Sequence, residues 1–190
     1  TLFSGAYTKI AYHKWYSSIF YTHNLKRFDN TKETNYGLAI ENRLLLLEPL
    51  NLEKRTLNPF PKLFVSSKEN EDTVALFEQY KIDRNAKVIM ISLLGSEQNK
   101  TYPLEYMAKV VEYVATHENV IILFNYFEEQ IENAKEIYNL CSKVTQEKIK
   151  FDLLGNNLRS FIAIMNRCDV IVGNDGGAIN MAKALNKPAF

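Results

Sequence analysis

Val88-Ile89-Met90-Ile91 and Val120-Ile121-Ile122-Leu123-Phe124 are continuous apolar runs, β-branched in part, and they bracket Leu104, Met107, Ala108, Val111, Val114 and Ala115. A continuous run, rather than alternation, suits a strand buried on both faces. The intervening residues recur at helical spacing after Pro103, whose fixed φ suits a first turn. The stretch therefore reads strand–helix–strand. Downstream, Phe127, Ile131, Ala134, Tyr138 and Cys141 predict a second helix, and Ile149–Leu154 a weaker strand. Leu158, Phe161, Ile162 and Met165 predict a third helix, Asp169–Gly173 a fourth strand, and Ile179, Ala182 and Leu185 a fourth helix. Pro188-Ala189-Phe190 begins a fifth strand. Strands alternating with helices of this length imply right-handed crossovers and a doubly wound parallel α/β sheet.

Upstream the pattern changes. Val74, Phe77 and Tyr80 suggest a short helix, preceded by Asn58-Pro59-Phe60-Pro61, which cannot continue regular structure and reads as a domain edge. Residues 37–50 read as a helix with Asn35 as its cap and Pro49 near its end. Residues 1–35 are rich in aromatics, including Trp15, Tyr16 and Phe20, with short strands expected at Ile10–Tyr12 and Thr22–Phe28. The expected organisation is residues 1–65 as the C-terminal part of a first domain, 66–84 as a linker and connecting helix, and 85–190 as a second domain. The chain begins at Thr1 without Met and ends in a strand-like segment, so it is expected to be a piece of a longer protein.

Composition excludes several classes. The 190 residues carry 23 Lys and Arg against 22 Asp and Glu, a net charge of +1, which argues against bulk electrostatic binding of nucleic acid. Cys141 and Cys168 are the two cysteines, too few for a disulfide framework or a zinc knuckle. No apolar run reaches the roughly 20 residues of a membrane helix, and no signal-peptide pattern opens the chain. His13, His23 and His117 lack metal-ligand spacing, so no metal or other cofactor is expected. No serine sits in a nucleophile elbow. The aromatic belt around Trp15 reads as core or a domain interface, with a lipid-facing role the lesser alternative. Lys148 and Lys150 read as solvated charge.

Ligands of open parallel sheets bind beyond the carboxyl ends of the strands, so the strand-to-helix turns hold the candidate chemistry. In Leu94–Pro103, Gly95 and Ser96 allow close backbone approach, and Lys100 offers an ammonium to a phosphate. The same residues also describe an ordinary loop with a solvated lysine. Gly173-Asn174-Asp175-Gly176-Gly177-Ala178 enters a helix, whose first amides can hold phosphate. A tight turn needing glycine for its dihedrals is the equal alternative. Glu128 and Glu129 could accept ribose hydroxyls, or could simply favour a first helical turn.

Taken together, Cys168–Gly177 and the following Ala178–Pro188 resemble glycosyltransferase family nine, the ADP-heptose:lipopolysaccharide heptosyltransferases. That family carries a hydrophobic strand, Gly-Asn-Asp-Ser/Thr-Gly, then His, an Ala- and Leu-rich helix and a proline. The Gly95–Pro103 loop resembles the family's loop leading to Lys-Arg-Trp-Pro, and Leu154-Gly155 with Leu158, Phe161 and Ile162 resembles another family segment. Fainter likeness extends into Gly5–Tyr12 and Tyr36–Leu50.

The resemblance implies a GT-B-type fold, with a Rossmann-like C-terminal domain holding the donor and the tail of an acceptor-side N-terminal domain. It implies inverting, metal-independent transfer of a heptose-like sugar from an ADP-sugar to a lipopolysaccharide or other cell-envelope glycan, lipid-linked acceptors included. It puts the donor on Ser96, Lys100, Glu128, Asn174, Asp175, Gly176, Gly177 and Asn180, with no catalytic residue in the chain and the general base upstream of Thr1. The setting is the cytoplasmic face of the membrane, with peripheral association. The chain departs from the family at Asn180 (His expected), Gly176 (Ser or Thr), Tyr102 (Trp) and Thr101 (Arg). These departures weaken the case for ADP-heptose as the specific donor. Asn180 and the missing N-terminal segment favour, as an alternative, a non-catalytic nucleotide-sugar-binding or interaction module on the same fold; a transferase for a different nucleotide sugar is a further option.

Overall fold

The computed structural model describes residues 3–30, 36–51, 59–174 and 176–190. The chain forms two compact units, Thr1–Pro61 and Lys62–Phe190.

The first unit holds β1 (Ile10–Tyr12) and β2 (His23–Leu25), paired in parallel with Ile10 opposite His23. The second strand stops short of the expected Phe28. The amide of Asn42 takes both Phe28 backbone groups, accepting from its N–H at 2.8 Å and donating to its carbonyl at 3.2 Å. A side chain thus satisfies what a strand ladder would have. Helix α1 (Leu38–Leu45) starts behind Gly37, at φ 91°; the expected cap Asn35 lies outside the described residues. A 3-10 turn at Glu48–Leu50 replaces the expected continuation, because Pro49 lacks the N–H that would bond back to Leu45.

The second unit begins with α2 (Ser67–Gln79), closed by a capping box in which Ser66 N–H donates to Glu69 Oε2 at 2.7 Å and Glu69 N–H to Ser66 Oγ at 3.3 Å. Then come β3 (Lys87–Ser92), α3 (Leu104–Ala115), β4 (Val120–Asn125), α4 (Ile131–Leu140), α5 (Lys143–Lys148), β5 (Ile149–Lys150), α6 (Leu158–Arg167), β6 (Val170–Gly173) and α7 (Gly177–Ala184). The sheet order is β5-β4-β3-β6, every pair parallel. Pro188–Phe190 joins as an edge beside β6, through a parallel bridge of Ala189 to Ile171.

Alternation along the strands sends side chains to two cores. Val88, Met90, Leu123 and Ile171 pack with Phe77 of α2, Ile162 and Met165 of α6, and Ile179 and Ala182 of α7. Ile91, Ile122 and Phe124 pack on the other face with Met107 and Val111 of α3 and Ala134 and Ile137 of α4. The sheet is doubly wound, as expected. Two further expectations are corrected. The third strand is two residues rather than Ile149–Leu154, the chain turning away after Lys150. Lys148 is not merely solvated: its Nζ donates to the carbonyls of Ala115 at 2.6 Å and His117 at 3.0 Å, terminating α3.

Candidate functional site

From β3 the chain runs through β4 to β5 on one side, then returns to place β6 on the other side of β3. The turn after β3 leads to α3 on one face, and the turn after β6 leads to α7 on the opposite face. The two turns leave for opposite faces at the carboxyl ends of β3 and β6, the place where this topology leaves a crevice. This is the topological switch point, where open α/β sheets bind their ligands.

Ser92 ends β3 opposite both Asn125 of β4 and Gly173 of β6, so three strands finish level. Asn125 Nδ2 donates to Ser92 Oγ at 3.2 Å. The ten residues from Leu93 to Tyr102 then form a braced loop. Gly95 N–H donates to Thr101 Oγ1 at 3.1 Å, and Thr101 Oγ1 donates to the Glu97 carbonyl at 2.9 Å. Gln130 Nε2 donates to the Gly95 carbonyl at 3.0 Å, while Gln130 Oε1 accepts from Phe127 N–H at 3.0 Å. A Cβ on Gly95 would strike the Lys100 carbonyl, which is why this close-packed position is glycine. Thr101, which stands where the resemblance expected arginine, thus acts as an internal brace.

Ser96 and Lys100 are exposed on this loop. The Lys100 ammonium lies 2.8 Å from Glu97 Oε1, with both side chains more than half exposed. An ion pair that wet is worth at most about 1 kcal/mol, so the ammonium can exchange its partner for an incoming anion. Glu128 and Glu129 are exposed in the 3-10 turn Glu128–Gln130, whose Gln130 grips the Gly95 loop. Glu128 therefore stands on the neighbouring rim.

Across the crevice, α7 starts at Gly177 behind Gly176. Its first helical bond is Asn180 N–H to the Gly176 carbonyl, at 3.2 Å. The amides of Gly177, Ala178 and Ile179 precede that bond and have no helical acceptor. Gly176 has no side chain to cap them, unlike Ser66, Ser142 and Asn157 at α2, α5 and α6. Gly176 has φ 172°, open to any residue, and a Cβ there would find no atom closer than the Asn174 carbonyl at 3.9 Å. A Cβ on Gly177 would meet only Met181 Cε, at 3.9 Å. Neither glycine is demanded by dihedral or packing, whereas Gly173, at φ 156° against Ser92, is demanded by both. Of the two readings left open for this turn, a tight turn needing glycine describes Gly173, while at Gly176 and Gly177 neither dihedral nor packing calls for glycine.

Asn174 joins the two sides. Its Oδ1 accepts from Tyr102 N–H at 2.7 Å, and its Nδ2 donates to the carbonyls of Leu93 at 3.0 Å and Ser92 at 3.3 Å. The Lys100 loop and the glycine turn are thus one assembly. Asn180 is exposed on the first turn of α7. Asp175 lies outside the described residues. Thr101, Gln130 and the double grip of Asn174 were not foreseen, and no local pattern marks them: Phe127 offers no side-chain acceptor to cap the turn, and only Gln130 reaches back to the Phe127 N–H.

Elsewhere, a cavity of about 340 Å³ lined by Ile82, Arg84, Lys87 and Asp169 sits at the amino ends of β3 and β6, away from the crevice. Its charges neutralise one another, Arg84 with Glu78 at 2.6 Å and Lys87 with Asp169 at 3.4 Å. Among the described residues no cluster of His, Cys, Asp or Glu could hold a metal ion, and no helix is long and apolar enough to cross a membrane.

The family model for glycosyltransferase family 9 (heptosyltransferase) matches residues 2–190. The chain belongs to this family. Lipopolysaccharide heptosyltransferase 1 of Campylobacter coli is 31% identical over 121 residues, 60% of this chain and 34% of that protein. The crystal structure of a family 9 glycosyltransferase from Veillonella parvula superposes with a TM-score of 0.76 at 17% identity, covering 97% of this chain and 50% of that one. E. coli ADP-heptose lps heptosyltransferase II gives 0.57 at 19% identity, covering 86% and 50%. E. coli heptosyltransferase WaaC with ADP-2-deoxy-2-fluoro heptose gives 0.57 at 14%, covering 92% and 49%. The fold is the GT-B type of these enzymes. The family 9 chain described here spans about half the length of the solved relatives and about a third of the curated one.

Proposed function

We propose that the second unit is the nucleotide-sugar donor site of an inverting, metal-independent glycosyltransferase, which moves a heptose-like sugar from an ADP-sugar to a lipopolysaccharide or related cell-envelope acceptor. The observation that carries this reading is the switch-point crevice itself. On one wall three amides of α7 have no helical acceptor, behind two glycines that neither dihedral nor packing among the described residues requires. On the other, a braced loop presents Lys100. The ligand name attached to the E. coli WaaC structure, an ADP-heptose analogue, and that of the Campylobacter relative supply the donor class and the acceptor class.

In this reading the amides and the Lys100 ammonium take the diphosphate, and they gain most as negative charge builds on it when the sugar leaves. Glu128, on the rim fixed by Gln130, accepts the ribose hydroxyls. Ser96 and Asn180 flank the phosphates. The general base that deprotonates the acceptor hydroxyl comes from the acceptor-side domain, to which the first unit contributes only its tail, so the isolated chain binds donor without turnover. Transfer belongs at the cytoplasmic membrane face, with peripheral association. The same fold used as a non-catalytic nucleotide-sugar-binding module is the second reading. Asn180, an amide where the family carries histidine, favours it.

Titration calorimetry of the 190-residue chain with ADP and an ADP-sugar tests the donor site. Lys100→Ala is expected to weaken binding about tenfold to a hundredfold, the scale of one charge-assisted bond. A folded chain that ignores millimolar ADP would remove the proposal. Turnover by the full-length parent separates the enzyme from the module.

A further inference from the structure

We infer that Asn174 is a positioning residue, one that shapes the donor site without touching the donor. The inference rests on the crevice being the diphosphate site. The β3–α3 loop enters at Leu93 and leaves at Tyr102, and the single Asn174 side chain holds both ends. Nδ2 takes the Ser92 and Leu93 carbonyls at the entry, and Oδ1 takes the Tyr102 N–H at the exit. These contacts use both amide hydrogens and the carbonyl oxygen. The partners are 72 to 82 residues away in sequence, so the clamp exists only once β6 has paired with β3.

The chemistry demands asparagine. The entry presents two acceptors and the exit one donor, so the clamp needs a side chain that donates twice and accepts once within a short reach. Aspartate accepts from Tyr102 but repels both carbonyls, and leucine does neither. Closing the loop at its ends leaves Thr101 and Gln130 to set its interior, through the N–H and carbonyl of Gly95. Lys100 then sits on a loop whose two ends are both tied to Asn174, two positions before Gly176 in the sequence. Asn174 thereby sets the separation between the cation wall and the amide wall.

The test combines a ligand-free readout with a binding cycle on the 190-residue chain. In Asn174→Ala, hydrogen exchange of the Tyr102 amide, followed by NMR, is expected to accelerate at least tenfold, and Asn174→Asp is expected to retain more of the protection. ADP affinity is expected to fall about tenfold in Asn174→Ala, the equivalent of about 1.4 kcal/mol. Because the effect runs through the lysine loop, Asn174→Ala is expected to cost less than threefold when added to Lys100→Ala. Additive losses would make Asn174 a direct ligand and overturn the inference. An unchanged Tyr102 exchange rate would also overturn it. Should wild type fail to bind ADP, the donor reading falls, and the Tyr102 amide alone still decides whether the clamp exists. If Asn174→Ala does not fold, Asn174→Asp carries the same measurements, with intermediate values expected.

Discussion

Gly173 lies directly opposite Ser92 across the β3–β6 pair, and a Cβ on Gly173 would fall onto the Ser92 carbonyl. Its φ of 156° adds strain for any other residue. Gly176, three residues on, has neither constraint. Gly173→Ala is therefore expected to lower stability by about 3 kcal/mol or more. Gly176→Ala is expected to leave the denaturation midpoint nearly unchanged while weakening ADP binding, because the new methyl takes up space at the entry to α7 that the donor reading gives to the diphosphate. Urea unfolding of both variants, with calorimetry of the second, checks the pair. A strongly destabilised Gly176→Ala would mean that its glycine serves the turn and not a ligand.

Glu97 is expected to compete with the donor for Lys100. The two side chains meet at 2.8 Å on the exposed loop, and a diphosphate arriving there must displace the carboxylate and bear its repulsion. Glu97→Gln is expected to tighten ADP binding about two- to fivefold, from the loss of a pair worth about 0.5–1 kcal/mol. The gain should shrink as salt rises from 20 to 500 mM on the order of the Debye screening of exposed charge. Unchanged affinity at low salt would show that Lys100 does not reach the ligand.

Cys141 and Cys168 are expected to be inert while the chain is folded. Both are buried, in the helix-facing cores, and burial pushes the thiols up to about 11 and about 12 respectively. Thiolate, the reactive form, is then scarce at neutral pH. An aromatic disulfide reagent at pH 8 should label neither cysteine in native buffer and both in denaturant. Rapid native labelling at Cys168 would show that the β6 end of the core opens readily.

Much of the second unit is legible in sequence because each central strand is an unbroken apolar run, as in Val120–Phe124, and each long helix carries its apolar stripe. What was not legible depended on partners far along the chain. Lys148 reads as a surface charge until the fold brings it to the end of α3. The strand at Ile149 shortens because α5, six mostly polar residues, takes up the preceding chain; its cap is Ser142, and Glu112 of α3 accepts from Ser142 N–H and from Thr145 Oγ1. The glycine turn and the lysine loop could each be named as candidates, but the side chain that unites them is fixed by strand register. No local pattern announces that Asn174 will find Leu93 and Tyr102.

Acid should loosen the second unit through one carboxylate. Glu69 caps α2 through Ser66 and receives two bonds from Arg159 of α6, at 2.6 and 2.7 Å. Arg159 also donates to the Phe64 carbonyl at 2.8 Å, so the guanidinium joins α6 to the segment entering α2. The Arg159 bonds, with the Ser66 backbone and hydroxyl donors, hold Glu69 down to about 2 from its ordinary 4.5. A carboxylate with a depressed folded pKa stabilises the fold fully above the ordinary value, and that contribution is lost as pH falls from about 4.5 toward 2. Arg159→Met removes the guanidinium but leaves Ser66. Its stability deficit against wild type is expected to be largest above pH 5 and to shrink steadily toward pH 2, where the wild-type carboxyl protonates and its bond to Arg159 weakens. Urea midpoints for both proteins at half-unit steps from pH 2 to 6 measure it. A deficit that stays constant over that range would mean that Arg159 acts through the Phe64 carbonyl and packing alone, and that the charge on Glu69 contributes nothing to the junction of α2 and α6.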